Sequence, residues 1–120
     1  IDIFARGYWR DAITGAPVRL GEVPDGRSGK MFVDPNVPTG LAKLLHADGA
    51  TATFRWDSGV APYLGVWMDR AAIGPVDAIA IEPMTGYADS CMAAMQAKRV
   101  LWLEPDRPVR WWVDMELGAG

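Results

Sequence analysis

Val109-Arg110-Trp111-Trp112-Val113-Asp114-Met115-Glu116-Leu117, near the end of the chain, alternates apolar and polar side chains along almost its whole length. Successive side chains of an extended strand point to opposite faces, so Val109, Trp111, Val113, Met115 and Leu117 share one face. Arg110, Trp112, Asp114 and Glu116 share the other. The stretch therefore predicts a strand with one face in the core: Trp111, Val113 and Met115 buried, Arg110 and Asp114 on the wetter side.

Working outward, Ala50-Thr51-Ala52-Thr53-Phe54-Arg55-Trp56-Asp57 shows the same period of two. Shorter runs at Lys30 to Val33, Gly40 to His46, Tyr63 to Met68, Val76 to Glu82 and Lys98 to Leu103 also read as strands. Asp48-Gly49, Asp57-Ser58-Gly59, Gly74-Pro75 and Pro105-Asp106 separate them, because Gly accepts positive φ and Pro fixes its own φ in the range that turns use. With 13 Gly and 9 Pro spread along the chain, helix is the minority state. One or two helical turns are expected only at Asp89 to Ala97, with Asp89 or Ser90 as N-cap. The first 29 residues read as irregular structure or weakly paired strands. The pattern predicts an all-β, antiparallel meander or β-sandwich.

A chain of 120 residues is the length of one domain, and 50% hydrophobic against 22% charged residues excludes intrinsic disorder. Twelve Lys+Arg against 15 Asp+Glu leave no basic excess for a phosphate backbone, so nucleic acid is not an expected partner. Apolar runs fall far short of the roughly 20 residues of a helical membrane span, and no membrane association is expected. The single cysteine, Cys91, fits a reducing compartment and a cytoplasmic location. The chain as it stands opens without a charged-then-apolar leader, and an opening residue other than Met suggests a trimmed or truncated product.

Several short motifs carry little. Asp25-Gly26-Arg27-Ser28-Gly29-Lys30 lacks the spacing and the hydroxyl of a phosphate loop and reads as a turn entering a strand. Cys91 and His46 show no local signature of a thiolate and its base, and Cys91 reads as a small buried thiol. Paired Cys or His at metal-ligand spacing do not occur, so no metal is expected.

The informative stretch is Val76 to Asp89. On a strand, Glu82 shares a face with Ala80 and Ala78, while Ile79 and Ile81 point the other way. Pro83 is expected to end the ladder there, which leaves Glu82 either a solvated strand-end residue or a carboxylate with open space around it. Tyr63, Trp67 and Asp69 share a face of Pro62 to Asp69, and aromatic plates beside carboxylates suit a sugar, which offers C–H faces and hydroxyl donors. The bland reading is that these rings are core, which holds for most of the six tryptophans, with exposed stacking the exception.

Ala80-Ile81-Glu82-Pro83-Met84-Thr85-Gly86, then Ala88-Asp89, Val100-Leu101-Trp102-Leu103, Glu104-Pro105 and the strand through Trp111-Trp112 resemble, in that order, the C-terminal portion of aldose 1-epimerases, the galactose mutarotase-like proteins. Phe54-Arg55-Trp56-Asp57 and Leu64-Gly65-Val66-Trp67 resemble the two strands that precede that block. The likeness covers about the last 70 residues, with only the Glu82 block specific. It implies part of a large antiparallel supersandwich, so that residues 1–120 form a single β-sandwich domain or the C-terminal lobe of a larger one. It also implies Glu82 as general base, taking the proton of a sugar's anomeric hydroxyl while a histidine donates to the ring oxygen, with no cofactor.

Two departures from the family pattern stand out. The family's histidines lie upstream of this block, and His46 in Leu44-Leu45-His46-Ala47-Asp48 does not match their motifs, so the acid role is not carried onto it. Glu104-Pro105-Asp106 also alters the usual Pro-Gly turn. The expectation is thus part of an epimerase-like protein for monosaccharides or their derivatives, inactive alone, with Glu82 as base and Trp67, Tyr63 and Asp69 as sugar contacts. The alternative is a non-catalytic carbohydrate-binding or interaction module. Strands cut from a larger sandwich would leave open edges that favour self-association.

Overall fold

The structure, a computed structural model, describes residues 9–11 and 23–120. Among them the chain forms β1 (Trp9–Asp11), β2 (Ser28–Val33), β3 (Leu41–Leu45), β4 (Thr51–Trp56), β5 (Tyr63–Arg70), β6 (Asp77–Met84), α1 (Cys91–Gln96) and β7 (Val113–Gly118). Two antiparallel sheets result, one of order β1-β2-β5-β6 and one of order β3-β4-β7. This is the all-β, sandwich-like architecture that the alternation predicts. Of the first 29 residues, 1–8 and 12–22 lie outside the described set.

The core forms where one face of each sheet meets the other. Met31 of β2 and Leu64, Val66 and Met68 of β5 pack with Ala42 of β3 and Trp56 of β4, flanked by Phe54 and Ile81. Each aliphatic side chain so buried contributes on the order of 1.5–3 kcal/mol. The Trp56 indole donates to the Ala61 carbonyl at 2.9 Å, so its one polar atom is satisfied inside the core. Tyr63, Gly65, Trp67 and Asp69 lie on the opposite face of β5 by the period of two, and the register places Glu82 and Ala80 there with them.

α1 begins where the sequence places it, with the Ser90 hydroxyl accepting from the Ala93 amide at 3.2 Å. It ends in a Schellman turn, in which the Lys98 amide donates to the Met95 carbonyl and the Arg99 amide to that of Ala94. Lys98 itself holds φ 57°, a left-handed conformation usually left to glycine. No helix among the described residues is long and apolar enough to cross a membrane.

Four expectations need correction. The last strand starts at Val113 rather than Val109, and Trp111, Val113 and Met115 are exposed rather than buried. The alternation is real, since the register aligns Val113, Met115 and Leu117 with Trp56, Phe54 and Ala52 of β4. β7 is an edge strand, however, and among the described residues nothing covers it. Lys98 to Leu103 is not a strand: Val100 makes only a single bridge to Gly86, because the Schellman turn redirects the chain just before it. Pro83 does not end the ladder; β6 runs on to Met84, which its edge position permits because among the described residues no further strand there needs the missing N–H. Cys91 is exposed, since α1 buries only Ala94.

Candidate functional site

Three strands bring charges together on the outer face of the four-stranded sheet. Gly65 of β5 stands opposite Glu82 of β6 on one side and Phe32 of β2 on the other, while Lys30, Trp67 and Ala80 form the next row. Lys30 is diagonal to Gly65, and its side chain crosses that glycine to place Nζ 2.5 Å from Glu82 Oε2. A Cβ on Gly65 would lie 3.3 Å from Met84 Sδ and 3.4 Å from both Glu82 Oε2 and Lys30 Cε. The glycine thus leaves the space in which the two charges meet.

A second carboxylate comes from the arm that follows β6. The Gly86–Val100 bridge and the hydrogen bonds from the Tyr87 amide to Arg99 O and from the Leu101 amide to Thr85 O fold residues 85–101 back on themselves. Asp89 Oδ1 then lies 2.7 Å from Lys30 Nζ. The Tyr87 ring meets both Phe32 and Tyr63 at 5.7 Å between centroids, which seats the arm over the sheet. Desolvation pulls the Lys30 pKa down, but hydrogen bonds to Asp89 and Glu82 and the charges of both outweigh it, so the net shift is upward. Lys30 is therefore a firm ammonium near neutral pH, held between two carboxylates, and the cluster carries an excess of negative charge.

The structure places the sequence-derived candidates unevenly. Glu82 is partly open to solvent on the same face as Tyr63 and Trp67. Trp67 is half-buried between Lys30 and Ala80, and Tyr63 is half-buried opposite Met84. Asp69 lies in the same alternation but is buried, 2% exposed, and accepts the amides of Ala72 and Ile73 at 3.3 and 3.2 Å. It braces the turn after β5. His46 lies on the β3–β4 turn of the other sheet, with Nδ1 2.9 Å from Asp48 Oδ1, away from the cluster. Among the described residues no three His, Cys, Asp or Glu side chains could together hold a metal ion.

Sequence reasoning missed Lys30 and Asp89. Lys30 follows a Gly-rich turn and Asp89 precedes a helix, so each already had a local explanation; only the crossing of β2, β5 and the arm brings them together. Beside the cluster lies an open cleft of about 600 Å³, with Asp57, Met84, Asp89, Trp111 and Trp112 among its walls.

An antiparallel sandwich bearing an ion-bridged carboxylate pair and aromatic side chains on one outer face is the class of protein that this geometry defines. The chain matches no family model, and neither a curated protein nor a solved structure is significantly similar to it. The epimerase resemblance accordingly rests on the residues that carry it.

Proposed function

We propose that the chain is the C-terminal part of an aldose 1-epimerase-like protein, in which Glu82 takes the proton of a sugar's anomeric hydroxyl. The carrying observation is the position of Glu82: it is partly solvent-open, on the same sheet face as Tyr63 and Trp67, with a lysine ammonium against one oxygen. Trp67 and Tyr63 serve as aromatic contacts to the ring, while Asp69, occupied with two backbone amides, stands behind them as support. The reaction also needs an acid at the ring oxygen, and the chain's single histidine, His46, is on the other sheet. We therefore assign the 120-residue chain no epimerase activity by itself.

The same ion pair favours a second reading. A carboxylate locked to Lys30 and lacking a histidine partner is also what a non-catalytic sugar-binding module would use as a hydrogen-bond acceptor. Polarimetry of freshly dissolved α-glucose and α-galactose separates the two. The isolated chain is expected to leave the buffer rate unchanged. Supplied with its missing acid in a longer form, it should accelerate mutarotation, and Glu82→Gln should lower turnover by roughly 100-fold while sugar affinity changes little. Acceleration that survives Glu82→Gln would overturn the assignment, and a longer form that binds sugar without turnover would establish the module.

A further inference from the structure

Val109 to Leu117 alternates along its whole length, yet among the described residues only its second half has a partner. β4 takes up Val113–Gly118 in register, and its last pair is Trp56 with Val113. Beyond Trp56 the chain leaves the sheet through a turn in which the Val60 and Ala61 amides both donate to the Asp57 carbonyl. Val109 to Trp112 therefore lead into β7 past the end of its neighbour, with no strand beside them, and the other edge of β7 is unpaired throughout. Trp111, Met115 and Leu117, on the apolar side of the alternation, are 70%, 61% and 72% exposed.

The stretch is complementary to itself when reversed. Directly opposite residues of an antiparallel pair lie on the same face, so two copies related by a two-fold axis through one residue keep both apolar faces on one side. With the axis at Val113, Trp111 stands opposite the second copy's Met115 and Val109 opposite its Leu117. On the other face Arg110 meets the second copy's Glu116, and symmetry makes that pair twice. Arg110 has no ion-pair partner among the described residues. Glu116 binds Arg55 through Oε2 at 3.1 Å, which leaves Oε1 for a second cation. Neighbouring axes fit less well, because like charges directly opposite one another repel. An axis at Asp114 sets that carboxylate against itself, and one at Met115 sets Asp114 against Glu116. An axis at Trp112 brings in Pro108, which has no N–H to give, and puts Leu117 opposite Arg107.

We infer that the partner of this edge is a second copy of the chain, paired antiparallel through Val109 to Leu117 about Val113. The two three-stranded sheets then join into one of order β3-β4-β7-β7-β4-β3, and the exposed apolar side chains of each copy lie beside those of the other. β6 and Glu82 belong to the other sheet, so the interface does not depend on the reading of that carboxylate.

Sedimentation velocity of the full chain and of Arg110→Glu and Glu116→Arg, separately and mixed in equal amounts, tests it, with circular dichroism to establish that each variant keeps its fold. The wild type is expected to pass from monomer to dimer and no further. Each variant alone places like charges at both pairs and should weaken the dimer at least about 10-fold. The mixture restores opposite charges at both pairs and should return to within about 3-fold of the wild type, a rescue that no effect confined to one copy can produce. The register is read independently of these charges. In a Cys91→Ser background a short bis-maleimide should link Val113→Cys to its own mate, and Met115→Cys only to Trp111→Cys. A wild type that stays monomeric or grows past the dimer, a dimer indifferent to both charge reversals, a mixture no stronger than either variant, or Met115→Cys linking to itself overturns the interface.

Discussion

Lys30 reaches Glu82 across the face of Gly65, so a salt bridge between the second and fourth strands of the sheet passes directly over the third. Even a Cβ at that point would press on Met84 Sδ, at 3.3 Å, so the central strand is best served there by a residue without a side chain. An ordinary strand position, where β propensity favours Val or Ile, thereby becomes one that only the smallest residue fills well.

Gly65→Val should therefore separate the ion pair. Its β-branched side chain would enter the space held by Met84 Sδ, Glu82 Oε2 and Lys30 Cε, and overpacking of this kind costs about 1–3 kcal/mol. Urea denaturation measures the loss, and the Lys30 Nζ resonance reports the broken bridge. Wild-type stability with an unchanged resonance would show that the neighbours move aside freely.

Lys30 gives the fold a pH dependence at the alkaline end. Its pKa is raised on folding, against burial, by Asp89 and Glu82, so the bridge contributes its full stability below about 10.5 and loses it as pH rises through the folded value. The stability difference between the wild type and Lys30→Met should be constant from pH 7 to 10 and shrink above that. A difference that persists unchanged well above pH 11 would mean that the aliphatic stem, and not the charge, accounts for it.

At the end of α1, Lys98 occupies the left-handed position of the Schellman turn with φ 57°. A side chain there costs on the order of 1 kcal/mol relative to glycine. Lys98→Gly is expected to raise the unfolding free energy by about that amount, measured by thermal or urea denaturation. A loss of stability instead would point to a role for the ammonium group at the helix C-terminus.

The edges of the sandwich predict association. β6 and β7 each lie at the edge of a sheet, and Ile79, Val113, Met115 and Leu117 are exposed there, on strand faces aligned with the core. Sedimentation velocity over a hundredfold range of concentration should show the chain shifting to larger species, and Met115→Lys should suppress the shift without lowering stability, since an inward-facing charge on an edge strand blocks pairing. A monomer at every concentration would mean that the exposed edge is tolerated.

The local sequence determined most of the strands, because a period of two is a property of neighbouring residues. Thr51 to Trp56, Tyr63 to Arg70 and the helix behind Ser90 fall within a residue or two of where alternation and capping put them. Alternation grouped Glu82 with Ala80 and Ala78, and Tyr63 with Trp67, but left it to the β5–β6 register that the two sets share a face. It could not say whether an apolar face would be covered. Val113, Met115 and Leu117 carry a core pattern and remain in solvent, since burial depends on a second layer lying opposite the strand.

The tertiary structure alone decided the composition of the site. Lys30, Gly65, Glu82 and Asp89 come from three strands and a folded-back arm, 59 positions apart from first to last, and each has an adequate local role as strand, glycine, strand or helix-start residue. Asp69 shows the converse, with the right face and residue type for a ligand contact but its oxygens held by the turn it caps. Local sequence fixes the conformation and facing of a side chain through short-range sterics. The partner that meets its charge is set by which strands lie adjacent in the sheet, and that follows from long-range pairing that periodicity does not encode.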